Sequence, residues 1–161
     1  ISRTKMLTPR YTILDRTDIA IATNNATSTE SIGIPAGLLT ASSTIKVLGN
    51  YTNNNTDCTI QIRDNISSTI FASLVLPGES GVNYTGTFAL NVFSSNSVSS
   101  QEYTGRALGF YITDSTDSKN RVTVSEGTSA FNFGSSALLV LVGIPGVGTC
   151  TVTTFSMEVN P

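Results

Sequence analysis

Acid–base chemistry in this chain would have to come from carboxylates. The close pairs are Asp15 with Asp18 and Asp114 with Asp117. A glycosidase needs two carboxylates facing each other across a bound sugar, usually on distant segments. The chain also has no Trp to line such a site. Asp114 and Asp117 suggest a calcium loop, yet the twelve-residue spacing of an EF-hand is missing. Both pairs read as turn-forming aspartates. Gly143-Ile-Pro-Gly-Val-Gly148 has the glycines of a phosphate loop without the Lys-Ser/Thr that follows them. There is no histidine. That removes the commonest general base and transition-metal ligand, and with them Ser-His-Asp, Cys-His and His-ligated zinc sites. No enzyme activity, catalytic residue, metal or cofactor is expected.

Two cysteines remain. Cys58 and Cys150 sit at apolar-phase positions of expected strands. Two buried free thiols are the first expectation. A disulfide would need Cα atoms within about 7 Å, which position along the chain does not fix. The cations are uneven: Arg3, Lys5 and Arg10 fall in the first ten residues with no acid among them. They read as a solvated terminus or as an arm for an acidic partner, and they are the candidate partner-binding residues. Net charge is −2, which gives no general basis for a phosphate backbone, so no nucleic-acid partner is expected. No run approaches the ~18 apolar residues of a membrane span, and no membrane partner is expected. No signal peptide is evident, and the start at Ile1 suggests a processed or partial chain.

The elements that must position these residues are strands. Of 161 residues, 24 are Thr, 21 Ser and 13 Asn, while 39% are hydrophobic and only 12% charged. Such a chain makes Asn-x-Ser/Thr sequons by chance, and Asn25, Asn50, Asn54, Asn65 and Asn83 head five of them. Short alternating runs bounded by Gly, Asn, Ser and Asp recur, and helical periodicity is absent. Strands are expected near 11–14, 18–23, 29–34, 44–51, 57–63, 69–76, 83–93, 105–113, 121–125, 137–144 and 149–159. The runs 94–100 and 114–120 read as polar loops. Cys58, Ile60 and Ile62 are expected inward; Ile19 and Ile21 share one face, as do Phe88, Leu90 and Val92, and the strand over 105–113 carries Leu108, Phe110 and Ile112. In the last strand Cys150 and Val152 are in one phase, and Phe155, Met157 and Val159 in the other. A β-bulge near Thr153-Thr154 would keep both sets on the core. The alternation, with some eight to ten strands, points to an all-β antiparallel sandwich or barrel. The division expected is an N-terminal arm over 1–14 and one domain over 15–161.

Residues 17–39, with Ser28-Thr-Glu-Ser31 and Ile34-Pro-Ala-Gly37, lead into Ser43–Tyr51 and its Gly49-Asn-Tyr51 ending. An Asn-rich turn, a strand over 57–64 and a final Met157-Glu-Val159 complete the order. This order resembles the jelly-roll domains of bacteriophage virion proteins. The chain departs from them in lacking Trp and any fibre shaft. The resemblance implies a β-sandwich of jelly-roll type and a non-enzymatic structural protein of the virion surface. It implies a homotrimer, with the major capsid protein or other virion proteins as partners. A capsid decoration (cement) protein stabilising the phage head is the first expectation. Alternatives are a head- or tail-fibre domain that binds a receptor or glycan, and a pilus-like subunit polymerising through a donor strand at 11–23. Phe71, Phe131 and Phe133 read either as core or as trimer contacts.

Overall fold

β-Branched residues alternating with Ser and Thr suit a pleated surface with one dry and one wet side. The computed structural model describes residues 11–15, 19–21, 26–28, 30–54, 56–112, 118–129, 131–144 and 150–161. Its strands are β1 (Tyr11–Asp15), β2 (Ile19–Ile21), β3 (Ala26–Thr27), β4 (Ile32–Ile34), β5 (Thr44–Asn53), β6 (Cys58–Asp64), β7 (Ile70–Leu76), β8 (Tyr84–Ser97), β9 (Ser100–Ile112), β10 (Ser118–Ser129), β11 (Ala137–Ile144) and β12 (Cys150–Asn160).

They form two antiparallel sheets. The larger runs β1-β12-β5-β8-β9-β10, with β2 also on β12; the smaller runs β3-β11-β6-β7, with β4 also on β11. The first strands pair with the last strand, and the next strands with the one before it. Strands β5 to β8 then fill the two sheets in turn. This is the rolled-up double Greek key of a jelly roll: alternation led to a sandwich or barrel, and the resemblance to the jelly-roll type. Residues 11–14, counted with the arm on sequence, are part of β1, which pairs Tyr11–Asp15 with Val159–Phe155. Because β1 and β2 complete this chain's own sheet, the stretch proposed as a donor strand is already paired in cis.

The core lies between the sheets. Ile45, Val47, Phe88, Leu90 and Val92 face Ile60, Ile62, Leu74, Leu139 and Leu141. Phe71, Phe131 and Phe133 are core residues too, with the Phe71 ring 4.5 Å from that of Phe131 and 6.2 Å from that of Phe133. The β12 register against β5 shifts between Val152 and Thr154, so the bulge lies where the phase change demands it. Cys150, Val152, Phe155, Met157 and Val159 are all buried as a result.

The expectation of free thiols is overturned. Cys58 opens β6 in one sheet, Cys150 opens β12 in the other, and the two form a disulfide with Cα atoms 6.7 Å apart. Apolar phase put both residues between the sheets, which is also where a bridge across the sandwich must lie. Closing a loop across 92 residues of sequence restricts the unfolded chain. The chain-entropy argument gives a stabilisation of roughly 4–5 kcal/mol.

Two expected loops are partly strand. β8 runs to Ser97 and β9 starts at Ser100, which leaves a hairpin turn in place of the loop over 94–100. Serine and asparagine are tolerated there because one face of the ladder is wet. β10 starts at Ser118 and is far longer than 121–125, since it pairs with β9 along its whole length. Its inner side chains also seal the edge of the opposite sheet. Thr123 Oγ1 donates to the Val75 carbonyl, Ser129 Oγ to that of Ile70, and Arg121 Nη1 to that of Gly78. Arg121 also meets Asp57 at 2.9 Å. These contacts occupy carbonyls that an exposed edge strand would offer to other chains.

At the end of β6, the buried Asp64 carboxylate accepts from the backbone N–H of Ile66, Ser67 and Leu138 and from Ser67 Oγ. Burial alone would raise its pKa. The four hydrogen bonds outweigh burial and hold it below the ordinary carboxylate value.

Candidate functional site

The site begins with a strand whose larger phase faces solvent. In β9 the residues turned to the core are Gly105, Ala107 and Gly109, while Leu108 and Phe110 are 36% and 43% exposed. The reason is volume. A Cβ on Gly105 would stand 2.6 Å from Leu90 Cδ1, and one on Gly109 would meet the Tyr51 hydroxyl and stand 3.2 Å from Tyr84 Cδ1. Large side chains from β5, β7 and β8 already fill the space beneath β9, so only small residues fit on its inner side. Tyr51 is fully buried, and its hydroxyl has no hydrogen-bond partner among the described residues. Burial, before any neighbouring charge, pushes its pKa far up, so it stays neutral.

The consequence is an apolar band on the outside of the larger sheet. The strand registers set its rows. One row holds Ser156, Leu48, Ala89, Arg106 and Val124; the next holds Thr154, Asn50, Thr87, Leu108 and Val122. Leu48 is 45% exposed, Val122 50% and Val124 72%. Phe110 continues the band toward one end of the strands, between Thr85 and Asn120. At the other end a charged row holds Glu158 on β12, Lys46 on β5 and Glu126 on β10, with Asn91 and Thr104 between the last two.

This face has relief. Short side chains at Thr87, Ala89 and Ser156 lie between taller Leu48, Leu108 and Arg106, and the result is an open depression of about 530 Å³ over β12, β5, β8 and β9. Beside it Phe110, Val122 and Val124 form a ridge. Monomeric proteins seldom leave a contiguous band of large apolar side chains in water without a use for it. The arrangement offers area, shape and hydrogen-bonding rims for contact.

The residues singled out on sequence fare differently. Arg3, Lys5 and Arg10 lie outside the described residues, as do Asp18, Asp114, Asp117 and residues 145–149. Asp15 ends β1, and Gly143 lies within β11. No cluster of three His, Cys, Asp or Glu side chains suited to a metal occurs among the described residues. The outward Leu48, Leu108, Phe110, Val122 and Val124 were missed as a surface because alternation says which residues share a face and not which face is dry. The signal was present in Gly105-x-Ala-x-Gly109, a small-residue phase opposite a large one.

No protein-family model matches the chain, and no curated protein does. Among solved structures it is similar to the CBM2 module of an evolved Dit from Lactobacillus casei BL23 phage J-1, at 12% identity and a TM-score of 0.38, covering 97% of this chain and 93% of that one. It is also similar to a lectin from Bauhinia forficata in complex with GalNAc, at 8% identity and 0.40, covering 92% of each chain. A mutant VP2 protein of infectious bursal disease virus matches at 14% identity and 0.32, over 95% of this chain and 41% of that one. Likeness at this level says nothing of what this chain binds. The all-β sandwich stands on its own strand order.

Proposed function

We infer that this chain is a non-enzymatic structural protein of a phage particle surface, and specifically a decoration protein that braces the shell. The observation that carries this reading is the jelly roll with its larger sheet extended by β9 and β10, which turns a broad, partly apolar face outward. A face of that kind gains from contact area, and many copies on a symmetric shell add modest contacts into avidity. The disulfide between the sheets supports the reading, since such bonds persist outside the reducing cytosol. The basic first ten residues enter the fold at β1, an edge of the larger sheet, and from there an arm can run along an acidic capsid surface.

The test is truncation. Removing residues 1–10 removes no described strand, and circular dichroism checks that the shortened chain is folded. Its occupancy on isolated capsids, measured by cryo-electron microscopy or sedimentation, should fall, and raised salt should reduce the occupancy of the full chain more than that of the truncated one. Full occupancy by the truncated chain removes the arm from the proposal. Failure of the full chain to associate with capsids defeats the decoration reading itself.

A further inference from the structure

The outer face of the larger sheet carries a ridge and a socket side by side. The ridge stands on β9 and β10; the socket lies over β5 and β8, about two strand spacings away, or roughly 10 Å. When two identical faces meet about a two-fold axis running along the strands, positions on either side of the axis exchange and rows stay in step. An axis at the boundary of β8 and β9 therefore sets each ridge over the other copy's socket. Val124 comes over Ala89 and Leu48 of the second copy, in the same row. Val122 comes over Thr87 and Asn50, and the two Leu108 side chains approach each other near the axis.

The same operation makes an independent demand on the charged row. It brings Glu126 of each copy opposite Lys46 of the other, because these two stand at the β10 and β5 positions of one row. Both are exposed, and neither ion-pairs with another described residue, although Glu158 on β12 stands beside Lys46 in the same row. The axis also brings the two Arg106 side chains near each other, as it does the two Leu108, so their stems cover apolar surface while the guanidinium groups diverge to opposite sides of the axis. A single axis thus matches the shape and pairs Lys46 with Glu126. A face carrying both signs of charge around an apolar band suits a copy of itself better than a strongly charged partner.

We propose that two copies of this chain associate through the outer faces of their larger sheets. In this dimer Val122 and Val124 of each fill the Leu48–Thr87–Ala89 depression of the other, Phe110 covers Thr85 beside it, and Lys46 pairs with Glu126 across the interface. The interface does not depend on the decoration reading, but it covers the outer face that this reading offers to a shell, so a dimer leaves the arm and the remaining surface for shell contact.

The experiment is a charge exchange on the full chain, read by sedimentation equilibrium and light scattering. The unaltered protein should show a mass twice 16.9 kDa. Lys46→Glu and Glu126→Lys, each alone, put like charges opposite each other and should weaken association roughly ten-fold or more. The double variant Lys46→Glu/Glu126→Lys restores opposite charges and should recover dimerisation. All these positions are exposed, and circular dichroism confirms that each variant is folded. A monomer at high micromolar concentration, a mass three times 16.9 kDa as the resemblance implies, or a dimer whose affinity the single exchanges leave unchanged would overturn the proposal. So would a double variant no tighter than the single ones.

Discussion

β12 and β9 lie in the same sheet with β5 and β8 between them, and both carry apolar residues in alternation. They use those residues in opposite ways. β12 takes a bulge between Val152 and Thr154, and Cys150, Val152, Phe155, Met157 and Val159 all reach the core. β9 has no bulge against β10 and turns Leu108 and Phe110 to solvent above an inner row of Gly105, Ala107 and Gly109. The difference is one of available volume. Beneath β12 there is space for large side chains, whereas beneath β9 the rings of Tyr51 and Tyr84 and the side chains of Leu74 and Leu90 have taken it. Alternation therefore fixes which residues share a face. Packing from the other strands decides which face is dry.

The strongest way to break this contrast is to shift the phase of β12. Deleting Ser156 sets Phe155 out of step with Met157 and Val159, and either Phe155 or both Met157 and Val159 would turn outward. Loss of the cooperative thermal transition is the expected outcome, followed by calorimetry. A variant that melts like the parent would show that the phase of β12 is dispensable. A milder probe of the same strand is Phe155→Ala. This side chain is 1% exposed, so its loss should cost about 3–5 kcal/mol in denaturant unfolding.

These two strands also show what could be read from sequence. The phase change in β12 was legible because Val152 and Phe155 are both apolar and out of step, and only a bulge reconciles them. The antiparallel sandwich or barrel was legible because most strands have one large and one small or polar phase, whereas the jelly-roll type came only from the resemblance. In β9 the larger phase faces solvent. The residues that exclude Leu108 from the core, Tyr51 and Leu74, are far from it in sequence, so the competition for volume exists only after folding. The disulfide was half legible: phase placed both cysteines between the sheets, but their separation depends on how β6 and β12 lie across the core. The polar run 94–100 concealed the end of β8 because Ser and Asn serve equally in a turn and on a wet ladder. The charged arm residues Arg3, Lys5 and Arg10 stay where sequence left them, outside the described residues.

If volume sets the phase of β9, adding volume beneath it must be costly. Gly109→Ala places a methyl group against the Tyr51 hydroxyl and should destabilise by about 1–3 kcal/mol. Tyr51→Phe alone should stay within about 1 kcal/mol of the parent, because the hydroxyl it removes is buried without a partner among the described residues. Together the two changes should cost less than their sum, since the smaller ring edge gives the new methyl group room. A double-mutant cycle measured by urea unfolding reads this coupling directly. Strict additivity would mean that the Gly109 requirement comes from somewhere other than Tyr51.

The smallest effect on stability is expected on the outward side. Leu108→Thr replaces an exposed apolar group on a strand by a β-branched polar one, and in a monomer it should change stability by less than about 0.5 kcal/mol. The concentration dependence is the sharper reading. Anything that binds only the folded chain raises its apparent stability with concentration. If Leu108 lies near a two-fold axis, the parent's melting temperature should rise with protein concentration more steeply than that of Leu108→Thr. The two should converge on dilution. Phe155→Ala, buried on the dry side, should instead shift the melting temperature by the same amount at every concentration. A Leu108→Thr curve lying parallel to the parent's would mean that the apolar face of β9 is exposed for some reason other than contact with its own kind.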